Sequence, residues 1–263
     1  MKYCRLQTRY GAQYAEVIDR AGRLWIERLI PPFEEGPVSE ATGSEGFEPL
    51  PFDEARTLAP VAPSKIVCVG RNYREHAAEL GNEVPAEPLL FFKPPSALLS
   101  PGQAIRIPEL SKRVDFEGEI AIVIGRRCSR IGSDEDPGEY IRGYTLANDV
   151  TARDLQKKDG QWARAKGFDT FCPVGPLVTD EVNPATGIGI STRLNGQLRQ
   201  DGNTRDFIFP IHQLMRYITA AMTLFPGDLV LTGTPAGVAP MQPGDEVSVT
   251  VEGIGTLTNC VVG

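Results

Sequence analysis

The chain has 263 residues, enough for one large domain or one domain with a small appendage. Its 27 basic and 34 acidic side chains leave a net charge of −7 with no basic run, which argues against nucleic acid as a partner. No stretch approaches the roughly 18 apolar residues of a membrane span, and the N-terminal Met1-Lys2-Tyr3-Cys4-Arg5 lacks a signal-peptide apolar core.

The five cysteines are far apart, odd in number and free of any CxxC pair, so reduced thiols in the cytoplasm are the simplest expectation. Abundant Gly and Pro cut the chain into short pieces and favour β-rich architecture over a helical bundle. Residues 3–30 read as a small β-meander with a turn at Asp19-Arg20-Ala21-Gly22. Residues 31–51, rich in Pro, Glu, Gly and Ser, read as a mostly irregular connection.

Residues 64–70 form a short buried strand that runs into a helix over residues 71–82. Asn72 and Glu75 have capping-box spacing, and Gly81 supplies a C-terminal stop. On this helix His76 and Glu79, at i and i+3, share a face. A carboxylate beside an imidazole holds one tautomer and raises its basicity, as general-base work requires. A surface helix with an incidental pair is the plainer alternative. Residues 88–95 form an apolar strand ending in Lys93, which either snorkels to water or faces a site.

Residues 114–124 read as one strand. Period-two alternation puts Asp115, Glu117 and Glu119 on one face and Phe116, Ile120, Ile122 and Ile124 on the other. Two carboxylates at the start of an apolar strand repel each other, and a hard divalent cation relieves that repulsion. Asp149 closes the next strand, residues 143–150, just before a helix that Thr151 and Asp154 are spaced to cap. It is placed either to cap that helix or to complete an oxygen set with the two glutamates. Lys166 precedes a Gly-Phe turn, where a solvated lysine is the usual outcome.

A hairpin turns at Asn195-Gly196. Residues 210–224 form a helix whose stripe is Ile211, Leu214, Met215, Ile218 and Met222, with His212 off the stripe and on the surface. A strand over 226–231 enters the loop Thr232-Gly233-Thr234-Pro235, whose backbone N–H groups are a candidate cradle for a substrate carboxylate. Two last strands cover 247–251 and 256–262.

Five motifs, taken together and in this order, resemble the fumarylacetoacetate hydrolase family from about residue 60 to the end. They are Gly70-Arg71-Asn72-Tyr73 with His76 and Glu79; Phe116-Glu117-Gly118-Glu119; Asn148-Asp149-Val150-Thr151-Ala152-Arg153-Asp154; Lys166-Gly167-Phe168-Asp169; and Leu231-Thr232-Gly233-Thr234-Pro235. The resemblance implies a mixed β-sandwich roll with short helices. A small N-terminal β domain over residues 1–60 would precede a catalytic domain over 61–263. It also implies a homodimer holding Mg²⁺ or Mn²⁺ and acting on a small oxo acid. By position, Glu117, Glu119 and Asp149 match the metal carboxylates, and His76 and Glu79 match a catalytic pair on a lid helix. Lys166 matches a lysine beside the metal. Arg153, Gln156 and Thr234 match substrate contacts, and Lys93 matches a recurrent lysine placed with them.

The activity this implies is hydrolysis of a C–C bond in 2,4-dioxo acids, acylpyruvates such as fumarylpyruvate, through an enolate of pyruvate. Oxaloacetate decarboxylation and isomerisation of 2-hydroxyhepta-2,4-diene-1,7-dioate are alternatives that use the same groups. An inactive binding relative would have lost His76, Glu79 or a metal carboxylate, and all are present.

Overall fold

The computed structural model describes residues 1–32, 46–79, 81 and 83–263. Most of the connection expected over 31–51 therefore lies outside the described residues, as do Leu80 and Asn82 of the expected helix. Among the described residues the molecule is built mainly from β-strands, and no helix is long and apolar enough to cross a membrane.

The largest sheet has 12 strands. Its central run is Cys172–Thr179, Ile141–Asn148, Gly118–Ile124, Leu229–Leu231, Ile66–Gly70 and Leu89–Lys93. The N-terminal meander, Lys2–Thr8, Gly11–Arg20 and Arg23–Ile30, extends the same sheet, because Lys2 pairs with Thr179 and Tyr3 with Val178. A second sheet of five strands includes the Gly189–Leu194 and Gln197–Asn203 hairpin, with Asn195 and Gly196 at positive φ in its turn, as its sequence requires.

The strand Gly118–Ile124 is buried along its whole length, and its two faces serve different cores. Ile120 packs with Leu146, Val249, Val251 and Leu257 between the sheets. Ile122 and Ile124 pack under Leu214, Met215 and Ile218 of the helix Ile211–Ala221. Ala121 and Val123 face the opposite cluster with Ile66, Cys68, Leu229 and Leu231. The expected stripe is the buried face of that helix, and His212 is exposed.

Several elements differ from expectation. The run 114–124 is two strands, Val114–Asp115 and Gly118–Ile124, because Val114–Asp115 leaves the main sheet to pair with Thr151–Ala152. The helix after Ile66–Gly70 begins at Arg74, and Asn72 does not cap it. Instead the buried Asn72 amide donates to Phe209 O and Thr232 O, and its carbonyl accepts from Phe209 N. Gly81 does stop that helix: φ is +67° and its N–H bonds Ala78 O. Thr151 and Asp154 form no capping box either. The Thr151 hydroxyl donates to Asp149 O, and Asp154 accepts from Ser111 and Lys112.

Register brings four strand ends to one place. Gly118 lies opposite Asn148, and Ala121 opposite Leu231, while Leu229–Leu231 runs parallel to Ile66–Gly70. The start of one strand and the ends of three others therefore open onto one edge.

Asp228 anchors the parallel pair from its far end. Its fully buried carboxylate accepts from Ser64 N, the Ser64 hydroxyl, Lys65 N, Lys65 Nζ and Phe225 N. Substitution Asp228→Ala strands these donors and should lower the unfolding free energy by about 2–5 kcal/mol in urea denaturation. A loss below about 1 kcal/mol would mean water replaces the carboxylate and the anchor assignment is wrong.

Candidate functional site

The four strand ends surround a cavity of about 480 Å³. His76, Glu79, Glu117, Glu119, Asp149, Arg153, Gln156, Lys166 and Thr234 line it, so it gathers nine of the ten candidate residues. Glu117 precedes Gly118–Ile124, Glu119 lies within it, and Asp149 follows Ile141–Asn148. Gly118 between the glutamates permits a close approach: a Cβ there would lie 2.1 Å from Thr192 Oγ1. Ligand oxygens of Glu117, Glu119 and Asp149 lie within 4.8 Å of one another, and all three residues are buried.

Two buried lysines face this cluster. Lys166, on the short helix Ala163–Gly167, places Nζ 2.8 Å from Glu117 Oε2 and 2.6 Å from Asp149 Oδ2. Lys93 Nζ lies 2.5 Å from Asp149 Oδ1 and 3.0 Å from Val150 O. Lys93 is thus neither snorkelling nor a cavity wall: it sits behind Asp149 and is spent on it. Its expected place among substrate contacts becomes that of a charge held under a carboxylate.

Arg153 opens the helix Arg153–Asp159 and is fully committed. Nε donates to Asp115 at 2.9 Å, Nη2 to Glu117 at 2.5 Å and Nη1 to Gln156 at 2.7 Å. Asp115 is itself forked by Arg113, at 2.9 and 3.1 Å. Arg153 therefore ties the carboxylates to the helix that carries Gln156.

The charges are unevenly matched. Burial alone would raise the Glu117 carboxyl, but Lys166 and Arg153 outweigh it and hold Glu117 well below the usual carboxylate range. Burial would lower Lys166, and Asp149 and Glu117 overcome that, so its ammonium is favoured. Glu119 has no cationic partner within salt-bridge distance among the described residues. Burial, then Asp149 and Glu117, push its carboxyl well above its ordinary value, despite a 2.7 Å bond from Gly233 N. An all-oxygen set with one uncompensated buried carboxylate suits a hard divalent cation. Glu117, Glu119 and Asp149 would hold it.

The short helix Arg74–Glu79 carries the expected pair. His76 is buried, with Nδ1 3.2 Å from Glu79 Oε2, and Glu79 Oε1 accepts from Gly237 N at 3.0 Å. With Nδ1 held against a carboxylate, Nε2 keeps its lone pair for chemistry. The loop after Leu229–Leu231 is not the expected cradle for a substrate carboxylate. Its Gly233 and Gly237 N–H groups bind the protein's own Glu119 and Glu79. The Thr234 hydroxyl donates to Gly118 O and accepts from Gln200.

Phe91, Arg113 and Trp162 also line the cavity, Gln200 lies beside it, and the sequence pattern assigns Asp115 no partner. The shared parity of Asp115 with Glu117 and Glu119 was the available signal for Asp115. Nothing local marks the others, which are placed by long-range packing.

The sequence model described as fumarylacetoacetate (FAA) hydrolase C-terminal matches residues 65–262. A protein of Mycobacterium tuberculosis is 50% identical over 214 residues, 81% of this chain and 80% of that one. Oxaloacetate tautomerase YisK of Bacillus subtilis is 40% identical over 222 residues, 79% of this chain and 73% of that one. Among solved structures, 2-hydroxyhepta-2,4-diene-1,7-dioate isomerase from Mycobacterium marinum superimposes with a TM-score of 0.85 at 44% identity, covering 100% of this chain and 98% of that one.

A cation at 100 times its Kd should stabilise the fold by about 2.7 kcal/mol, read as a rise in unfolding temperature that EDTA reverses. Glu119→Gln removes the uncompensated charge yet keeps an acceptor for Gly233 N. The metal-free variant should be at least as stable as the parent, and its Mg²⁺-induced rise should vanish in thermal denaturation. An undiminished rise would remove Glu119 from the ligand set.

Proposed function

The chain belongs to the fumarylacetoacetate hydrolase family, and from that premise we propose a divalent-metal-dependent enzyme that moves a proton at the carbon beside the oxo group of a 2-oxo acid. Keto–enol exchange of oxaloacetate is the reaction this reading assigns. One observation carries it: a single buried imidazole, oriented through Nδ1, shares a cavity with a cluster of oxygen ligands and a protonated lysine. The name of the Bacillus relative supports the choice of substrate.

A bound divalent cation would supply Lewis-acid polarisation of the oxo group. His76 Nε2 takes a proton from the carbon beside that group and returns it to carbon or oxygen, while Glu79 steadies the imidazolium that forms. Lys166 Nζ keeps positive charge beside the carboxylate cluster and opposes the negative charge that develops on the enolate oxygen. Val69, Phe91, Trp162 and Val238 make part of the cavity wall apolar.

Acylpyruvate hydrolysis is the second reading. It needs the same base with a water beside it and room for an acyl chain. A cavity of about 480 Å³ lies in the range that takes ligands well above four carbons.

The test is a stopped-flow assay of enol oxaloacetate, read by loss of enol absorbance, run beside cleavage of acetylpyruvate. With Mg²⁺ the protein should accelerate enol loss, and EDTA should abolish the effect. His76→Ala should cut kcat by about 10²- to 10⁴-fold while keeping the Mg²⁺-induced rise in unfolding temperature. Cleavage of acetylpyruvate faster than enol loss would make hydrolysis the reaction. An unchanged kcat in His76→Ala would remove it as the base.

A further inference from the structure

The strand that carries both glutamates is held from outside the cavity. Gly118, the residue between them, sits on the second sheet at the cross-strand pair of Thr192 and Gln200. A Cβ at Gly118 would lie 2.1 Å from Thr192 Oγ1 and 3.2 Å from Gln200 Oε1, so the second sheet meets bare backbone here. Gln200 lies on the strand Gln197–Asn203 and is fully buried, yet it is not among the residues that line the cavity.

Its amide closes a ring of hydrogen bonds. Gly118 N donates to Gln200 Oε1 at 3.0 Å, Gln200 Nε2 to Thr234 Oγ1 at 2.7 Å, and Thr234 Oγ1 to Gly118 O at 2.8 Å. Gln200 Nε2 also donates to Pro235 O at 2.8 Å. Both backbone polar groups of the residue between Glu117 and Glu119 are thereby fixed. Only a carboxamide offers one acceptor and two donors at the end of so short a side chain. An apolar side chain of equal length would fill the space without burying polar atoms.

The same strand shapes the loop that follows Leu229–Leu231. A Cβ at Gly202 would lie 2.5 Å from Pro235 Cβ, and one at Gly237 2.0 Å from Arg199 O. At one end of this loop Gly233 N binds Glu119. At the other, Gly237 N binds Glu79, whose second oxygen meets His76 Nδ1. Gln200 holds the middle of the loop, Thr234 and Pro235, against Gly118.

We propose that Gln200 is a positioning residue: from the second sheet, its one amide sets the carboxylates of Glu117 and Glu119 and the loop that seats Glu79 in a common frame. The proposal rests on the reading that Glu117, Glu119 and Asp149 hold a divalent cation, and not on which reaction follows. Groups behind metal ligands orient them, and losing such a group commonly costs about 10- to 100-fold in metal affinity.

The experiment is a calorimetric titration of the metal-free protein with Mg²⁺, which does not depend on turnover. Gln200→Met keeps the length of the side chain and removes its hydrogen bonds. It should weaken Mg²⁺ binding by about 10- to 100-fold. Gln200→Asn keeps the amide but is one methylene too short to span Gly118 and Pro235. It should shift affinity in the same direction, and it replaces Gln200→Met should that variant fail to fold. Val251→Ala opens the core under the same sheet and serves as the stability control. It should lower the unfolding temperature and leave Mg²⁺ affinity unchanged. In the metal-free protein, ¹⁵N spectra separate His76 from His212, the only two histidines. The Gln200 variants should lower the share of His76 protonated on Nδ1, because Glu79 loses its fixed seat.

Mg²⁺ affinity at the parent's level in the Gln200 variants overturns the proposal. So does an equal loss in Val251→Ala, which would make Gln200 an ordinary core residue. An unchanged His76 tautomer overturns the link through the loop. A parent that takes up neither Mg²⁺ nor Mn²⁺ overturns the cation reading itself, whereas a parent that binds and variants that bind equally well overturn the proposal alone.

Discussion

Three carboxylates whose oxygens lie within 4.8 Å of one another in a buried site are the constraint around which the structure is arranged. At an effective dielectric constant of about 20, each pair of full charges at that distance repels by roughly 3 kcal/mol. The fold offsets this with two lysines and an arginine that are themselves almost inaccessible to solvent. Lys166 bridges Glu117 and Asp149, Lys93 lies under Asp149, and Arg153 binds Glu117 and Asp115. The compensation stops short of Glu119, which accepts from the Gly233 N–H and has no ion-pair partner among the described residues. A cluster that needed no further cation would have no reason to leave that carboxylate unmatched.

Holding His76 at this cluster is a second problem, and one side chain handles both parts of it. Glu79 turns one oxygen to His76 Nδ1 and the other to Gly237 N. The tautomer of the imidazole and the seating of the helix Arg74–Glu79 on the 232–238 loop are therefore coupled through a single carboxylate. The helix is short and has little packing of its own, with His76 and Ala77 its buried residues. Its N-terminal approach is fixed instead by Asn72, whose amide joins it to Phe209 and to Thr232 of the same loop. His76 is placed by hydrogen bonds to a sheet end, which is how a short helix can present an imidazole with little freedom.

Much of this was legible in the sequence because the chemistry uses local patterns. Period-two alternation placed Glu117 and Glu119 on one face, and i, i+3 spacing paired His76 with Glu79. Asn195-Gly196 marked its hairpin, and the apolar stripe marked the helix Ile211–Ala221. What could not be read is what distant packing decides. Asn72 and Asp154 carry the side chains of cap residues, but partners far along the chain, Phe209 and Ser111, take their hydrogen bonds. Val114–Asp115 looks continuous with the strand after it, yet pairing with Thr151–Ala152 pulls it into another sheet. The loop 232–238 has the composition of an anion cradle, and its N–H groups bind the carboxyl groups of Glu119 and Glu79. Local sequence gives donors and acceptors, whereas topology decides which of them meet.

The same division separates the chemistry from the choice of substrate. The polar groups on the cavity floor are tied to other residues: His76 to Glu79, Lys166 to Glu117 and Asp149, Arg153 to Asp115. In the proposed function such a floor would act on any 2-oxo acid whose adjacent carbon can lose a proton, and so would not itself choose among them. Selectivity must then come from groups the floor leaves free, because only an unsatisfied side chain gains more from one ligand than from another. Lining the cavity, those are the aromatic wall of Phe91 and Trp162, which takes carbon chains with little discrimination, and the cations Arg71 and Lys157.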